Sequence, residues 1–92
     1  MKNARTTVAD PVGFHLRAAG RIVKLTKHFQ SKVTIRYDGR AANAKSIMGL
    51  ASLAAEYGAE VEIECAGSDE DEALARLVKL ISEELATPEK EG

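Results

Sequence analysis

His15 and Arg17 are the residues of this chain whose types and spacing most directly imply chemistry. They lie in Gly13-Phe14-His15-Leu16-Arg17, after a turn-forming stretch with Pro11 and Gly13. A helical pattern follows up to Lys27, with Ala19, Ile22, Val23 and Thr26 on one face. His15 is therefore expected at or just before a helix N-terminus, where unbonded amides and the helix dipole favour an anion. The same field disfavours a cationic ring and leaves a neutral, nucleophilic imidazole. Arg17 adds a planar fork matched to phosphate oxygens. Together they suit a histidine that carries a phosphoryl group. Against this stands the plain reading of a surface histidine beside an arginine, so the rest of the chain must decide.

The elements that would position this pair can be read in order. A first strand is expected near residues 4–8 and the first helix at residues 16–27. His28 follows as a left-handed cap residue or helix-end cation. Lys32 to Tyr37 alternates as a half-buried strand, Asp38-Gly39 signals a tight hairpin, and Arg40 to Asn43 returns. Ser46 can cap a second helix that runs to Tyr57 and ends at Gly58. Its core face would be Leu50, Leu53, Ala54 and Tyr57, with Met48, Ala51, Ser52 and Ala55 opposite. Glu60 to Cys65 is a strand with an acidic outer face, which favours an antiparallel or mixed sheet. Ser68 and Asp71 resemble a capping box for a third helix, with residues 69–72 as its acidic first turn. Leu74, Leu77, Val78, Ile81 and Leu85 form that helix's stripe. The expected fold is α+β: an open-faced β-sandwich of order βαββαβα, a four-stranded antiparallel sheet with three helices on one face.

Composition narrows the function. Ninety-two residues with net charge −1 make one small domain, taken as residues 1–86, with a frayed charged tail at 87–92. No apolar run is long enough to span a membrane, and the first residues lack a signal peptide's apolar stretch. No basic stripe with interleaved aromatics suggests nucleic acid. One cysteine, Cys65, and two distant histidines give no metal spacing and no internal disulfide. Cys65 falls in the strand alternation and is expected in the core. A cytoplasmic monomer without cofactor, metal or membrane insertion is expected.

The stretch Ile47 to Ala55 has no charged residue. Such a helix is buried, or it docks a partner, or it simply exposes a few small residues. Gly20 and Gly49 each cost about 1 kcal/mol in a helix interior relative to alanine, a cost that close approach by another helix or a partner would justify. Ser46 has two readings, as an N-cap or as a phosphorylation site whose charge would fall beside Met48.

The pattern as a whole resembles HPr, the histidine-containing phosphocarrier family of the bacterial phosphotransferase system. The resemblance spans roughly residues 4–86. It rests on Gly13-Phe14-His15-Leu16-Arg17-Ala18-Ala19, on Asn43-Ala44-Lys45-Ser46-Ile47-Met48-Gly49, on Gly58 and on Gly67-Ser68-Asp69-Glu70. It implies that His15 accepts phosphate through Nδ1 from a phosphohistidine of enzyme I, charged by phosphoenolpyruvate. His15 would pass it to a histidine of a IIA acceptor domain, and Arg17 with the helix-start amides would stabilise the phosphoryl oxygens. Ser46 would be the target of HPr kinase/phosphorylase. The expected docking surface comprises Leu16, Gly20, Lys24, Lys27, Ile47, Met48, Ala51 and Ser52. The chain would thus be a carrier, not an enzyme with its own turnover. One position departs from the family: Ala18 stands where proline is usual, exchanging a preset φ for an extra N–H.

Two other readings remain. One is a regulatory relative that docks partners under Ser46 control without feeding a sugar transporter. The other is a generic ligand- or RNA-binding α/β sandwich, which would carry aromatics on its open sheet face where this chain carries Glu60, Glu62 and Glu64.

Overall fold

The computed structural model describes residues 1–88. Its elements are β1 (Lys2–Thr7), α1 (Leu16–Thr26), β2 (Lys32–Tyr37), β3 (Arg40–Asn43), α2 (Ile47–Ser52), β4 (Glu60–Ala66) and α3 (Glu70–Ser82), closed by a 3-10 turn at Glu84–Ala86. The strands form one antiparallel sheet in the order β1-β4-β2-β3. The expected α+β, βαββαβα open-faced sandwich is the observed fold.

Alternation along the strands explains the layering. Val33, Ile35, Val61, Ile63 and Cys65 turn inward and are fully or almost fully buried. They meet Ile22 and Val23 of α1, Leu50 of α2 and Leu77 and Ile81 of α3 in one core. Each such aliphatic side chain contributes about 1.5–3 kcal/mol by leaving water. The outer sheet face is polar and cross-paired: Arg36 meets Glu62 and Glu64, and Arg5 meets Glu60. Burial raises the Cys65 thiol to about 11, with Asp69, Glu70 and Glu64 adding to the shift, so the thiol is protonated at neutral pH.

The second helix is shorter than its sequence pattern suggests. It stops at Ser52 rather than Tyr57, and Ala54 takes a left-handed φ of 56°. Arg40 bonds the carbonyls of Ser52 (3.1 Å) and Leu53 (2.8 Å), satisfying groups that a longer helix would have paired internally. Past the turn, Ala55 is buried and Tyr57 is 67 % exposed, the reverse of their assigned faces. Ala54 is also exposed, and Gly58, at φ 83°, serves a loop instead of a helix end.

Smaller corrections have equally local causes. His28 is not left-handed: positive φ among the described non-glycine residues occurs only at Asp38 and Ala54. Strand β1 begins at Lys2, in register with β4 through Lys2–Cys65. The capping box is replaced by a different arrangement, in which Asp69 occupies the N-cap of α3. Its carboxylate reaches across to Gln30 N (2.8 Å), Ser31 N (2.9 Å) and the Ser31 hydroxyl, while Glu70 accepts from Gly67 N. In α3 the buried stripe is Ala73, Leu77, Leu80 and Ile81, while Leu74 and Val78 are only partly buried and Leu85 is buried from the 3-10 turn. Of the tail expected at 87–92, residues 89–92 lie outside the described residues.

The Ser31 hydroxyl and then the Gln30 amide hold the Asp69 carboxyl below its ordinary value. A depressed carboxyl pKa contributes stability above the unfolded value of about 3.9 and loses it as pH falls through the folded value. Thermal melts should therefore find Asp69→Asn less stable than wild type at pH 7, with the gap narrowing toward pH 3. Parallel melting curves across that range would remove Asp69 from the clamp.

Candidate functional site

The backbone before α1 is fixed by three short bonds. Gly13 N donates to Asp10 O (2.9 Å), Phe14 N to Ala55 O (2.8 Å), and His15 N to Gly13 O (2.9 Å). Gly13 has φ +82°, and a Cβ there would collide with the Ala55 carbonyl oxygen. Glycine is required at this position on both counts. Phe14, 3 % exposed, anchors the loop in the core and turns the next side chain outward.

His15 is the N-cap of α1, in extended backbone conformation (φ −88°, ψ 178°). Its Nδ1 accepts a long hydrogen bond of 3.3 Å from Arg17 N, so the imidazole itself fills the role usually taken by serine or aspartate. On the other side of the ring, Nε2 lies 3.3 Å from Asp10 Oδ1. With a carboxylate facing Nε2 and an amide N–H facing Nδ1, the compatible neutral tautomer has its proton on Nε2 and its free lone pair on Nδ1. The ring is 25 % exposed and the Asp10 side chain 10 %, so the imidazole is the more accessible of the two.

Asp10 sits inside the turn-forming stretch before His15. The signal available in sequence was weak: an acidic residue five positions before a histidine, with Pro11 and Gly13 between. The helix field at His15 is joined in the structure by a carboxylate on the opposite edge of the ring.

Arg17 is exposed, and its guanidinium has no hydrogen-bond acceptor among the described residues. It lines a cleft of about 450 Å³ with Asp10, Val12, Arg21 and the 3-10 turn. Arg21 builds the far wall, bonding Thr87 O (2.7 Å) and Glu84 O (3.1 Å). Ala18 is fully buried, and no acceptor meets its N–H among the described residues. A proline there would forfeit no bond.

Ser46 caps α2: its Oγ accepts from Gly49 N (3.0 Å) and its carbonyl from Leu50 N (3.0 Å). It stands at the far end of α1 from His15. Thr26, at the end of α1, donates its hydroxyl to Ala44 O just before α2, whereas Ala55, past α2, holds Phe14 at the start of α1. The helices thus run oppositely, and an 11-residue α1 separates the two sites by roughly 16 Å.

Between them lies the expected docking surface. Leu16 (59 %), Met48 (71 %) and Ile47 (40 %) are exposed apolar residues. Lys24, Lys27 and Ser52 are exposed and Ala51 is partly so. A Cβ at Gly20 would meet open space, so no helix among the described residues crowds it. Gly49 is different: a Cβ would press on Ser46 at 3.2 Å and on Ala42, which explains that glycine without a partner.

Among the described residues no helix is long and apolar enough to cross a membrane, and no three acidic, histidine or cysteine side chains group as metal ligands. The family model described as "PTS HPr component phosphorylation site" matches residues 2–83. A phosphocarrier protein HPr from Lysinibacillus sphaericus is 39 % identical over 83 residues, covering 90 % of this chain and 94 % of the relative. Among solved structures, HPr from Thermoanaerobacter tengcongensis matches with TM-score 0.88 and 34 % identity, over 97 % of this chain and 100 % of that one. Crh of Bacillus subtilis, described as a catabolite repression protein forming a domain-swapped dimer, matches with TM-score 0.72 and 40 % identity, over 88 % and 93 %.

The collision at Gly13 supplies a test of the loop. Gly13→Ala must leave the left-handed region or lose the Phe14–Ala55 bond, and should cost about 1–3 kcal/mol. In a domain this size that lowers Tm by about 4–8 °C per kcal/mol, readable in a melting curve. An unchanged Tm would mean that the loop has another conformation.

Proposed function

The chain belongs to the HPr family of phosphocarriers of the phosphotransferase system, and on that premise we propose that His15 is its phosphoryl acceptor, through Nδ1. The donor is a phosphohistidine of enzyme I and the recipient a histidine of a IIA acceptor domain, both met in the cytoplasm. The observation that carries this reading is the position of Nδ1, with its lone pair at the first amides of α1 and its ring reachable from solvent.

The transfer follows from that placement. The Nδ1 lone pair attacks phosphorus, the donor's N–P bond breaks with its electron pair, and the Nε2 proton stays on the ring. Once Nδ1 is bonded to phosphorus it no longer accepts from Arg17 N, and that N–H turns to a phosphoryl oxygen. The amide is handed from nitrogen to oxygen without a new donor being recruited. The Arg17 guanidinium, uncommitted within the described residues, closes on the remaining oxygens.

Leu16, Gly20, Lys24, Lys27, Ile47, Met48, Ala51 and Ser52 form the surface on which these partners dock, apolar in the middle with lysines along α1. Ser46 is the site of regulatory phosphorylation by an HPr kinase/phosphorylase. At roughly 16 Å from His15, it acts through the partner that spans both sites. The protein works as a monomer, although Crh pairs by domain swapping. That same likeness favours a second reading, a regulatory relative that docks partners without feeding a sugar transporter. Phosphoryl transfer from His15 to a sugar-specific acceptor separates the two.

With phosphoenolpyruvate and enzyme I, wild type should gain one acid-labile, base-stable phosphate. His15→Ala should abolish the label and His28→Ala should leave it intact. Label persisting on the His15 variant ends the carrier reading.

Ser46→Asp should raise the KM for enzyme I about tenfold, equivalent to about 1.4 kcal/mol, because charge replaces an apolar approach beside Met48. Ser46→Ala should not. The melting curve should keep one cooperative transition. Kinetics of Ser46→Asp that overlay wild type would leave Ser46 as a helix cap alone.

A further inference from the structure

Asp10 is a buried carboxylate with more contacts than its turn requires. The turn is already closed by Gly13 N on the Asp10 carbonyl (2.9 Å). The side chain adds a second closure, Oδ1 accepting from Val12 N at 2.8 Å. That same oxygen lies 3.3 Å from His15 Nε2. The Asp10 residue is 7 % exposed, so water cannot readily replace either partner. Its Oδ1 is thus fixed by the backbone and aimed at one edge of the imidazole.

We propose that Asp10 is the positioning residue that decides which nitrogen of His15 carries the phosphoryl group. The inference rests on the phosphocarrier reading and adds a residue to it. An imidazole free in solution exchanges its proton between two nitrogens. With the proton on Nδ1, that nitrogen has no lone pair to offer, and the nucleophilic edge is turned toward the loop. The Asp10 carboxylate holds the proton on Nε2 and points the Nδ1 lone pair at the helix-start amides. During transfer the N–P bond forms at Nδ1 and the donor's N–P bond breaks. The developing positive charge on the ring is met by the carboxylate through the Nε2 proton, which never leaves. The arrangement parallels the orienting acid of a nucleophile–histidine–acid array, here with the histidine itself as nucleophile.

The test uses full-length protein labelled with ¹⁵N-histidine, in wild type, Asp10→Asn and Asp10→Ala. Wild-type His15 should give the shifts of a single neutral tautomer, with a bare Nδ1 and a protonated Nε2. Asp10→Ala should move them toward the average of both tautomers while the His28 shifts stay fixed. In labelling by phosphorylated enzyme I, Asp10→Ala should lower kcat about tenfold, the weight of a hydrogen bond to a charged group. KM should hold, because the docking surface is untouched. Asp10→Asn keeps an acceptor for Val12 N and the turn, but loses the charge, and should lower kcat severalfold at constant KM.

Wild-type shifts and wild-type kcat in both variants would overturn the proposal and leave Asp10 as a turn residue. If Asp10→Ala does not fold, Asp10→Asn decides, and a kcat equal to wild type overturns it. If wild type takes no label at all, the carrier reading fails, and the tautomer measured on unphosphorylated protein still decides what Asp10 does to the ring.

Discussion

An α-helix leaves its first amides without internal acceptors, and the first of the three helices assigns that vacancy to an imidazole. Because His15 Nδ1 accepts from Arg17 N, the proposed nucleophile and the helix cap are the same atom. Much of the surrounding architecture serves to hold that atom still. Phe14 sinks into the core, Gly13 takes the left-handed bend that only glycine accommodates beside Ala55, and Asp10 faces the opposite edge of the ring. A cap made by serine would offer a hydroxyl, which needs a base to become nucleophilic, in place of an imidazole lone pair. A histidine away from a helix start would have no amide to pass to the incoming oxygens.

The sheet provides the rigid base for this arrangement. Its inner face is covered by three helices, and α1 is held at its C-terminal end and along one side. Thr26 bonds Ala44 O at one end, and Arg21 bonds the carbonyls of Glu84 and Thr87 along its exposed side. The loop after α1 is tied down where Asp69 gathers the amides of Gln30 and Ser31. In the proposed transfer the start of α1 would exchange a nitrogen acceptor for an oxygen acceptor on a helix held in this way. That is what a carrier needs when it must present the same surface to a donor and to a recipient.

Much of this was legible in the chain. Periodicity placed the four strands and the first and third helices, and the helix start at Leu16 was readable from Pro11, Gly13 and the apolar face behind them. What escaped was made by partners distant in sequence. The second helix looked long because no proline interrupts residues 47–57. Arg40 from β3 ends it, and the demand of Phe14 N for the Ala55 carbonyl pulls the next turn out of helical form. Ser68 and Asp71 matched a capping pattern, but Asp69 satisfies a loop 38 residues earlier and so reorganises the start of α3. Asp10 was hidden for a different reason. A carboxylate in a Pro-Gly turn explains itself locally, and only the folded loop brings its oxygen to face the histidine ring.

The stretch from Leu53 to Ala59 has a bearing on how this fold can be altered. It has no regular structure and much of it is exposed, the usual description of a place where a chain accepts insertions. Here it behaves as a seam. Ala55 holds Phe14, Gly58 N bonds Val8 O, and Val8 N bonds Ala59 O. Adding or deleting one residue would put those stitches out of step and loosen the loop that carries His15. The hairpin at Asp38-Gly39 is the opposite case. Both residues are left-handed, and a Cβ at Gly39 meets open space. Foreign sequence spliced into the hairpin would lengthen a tip, whereas the same sequence spliced at residue 56 would cut the thread between two halves of the domain.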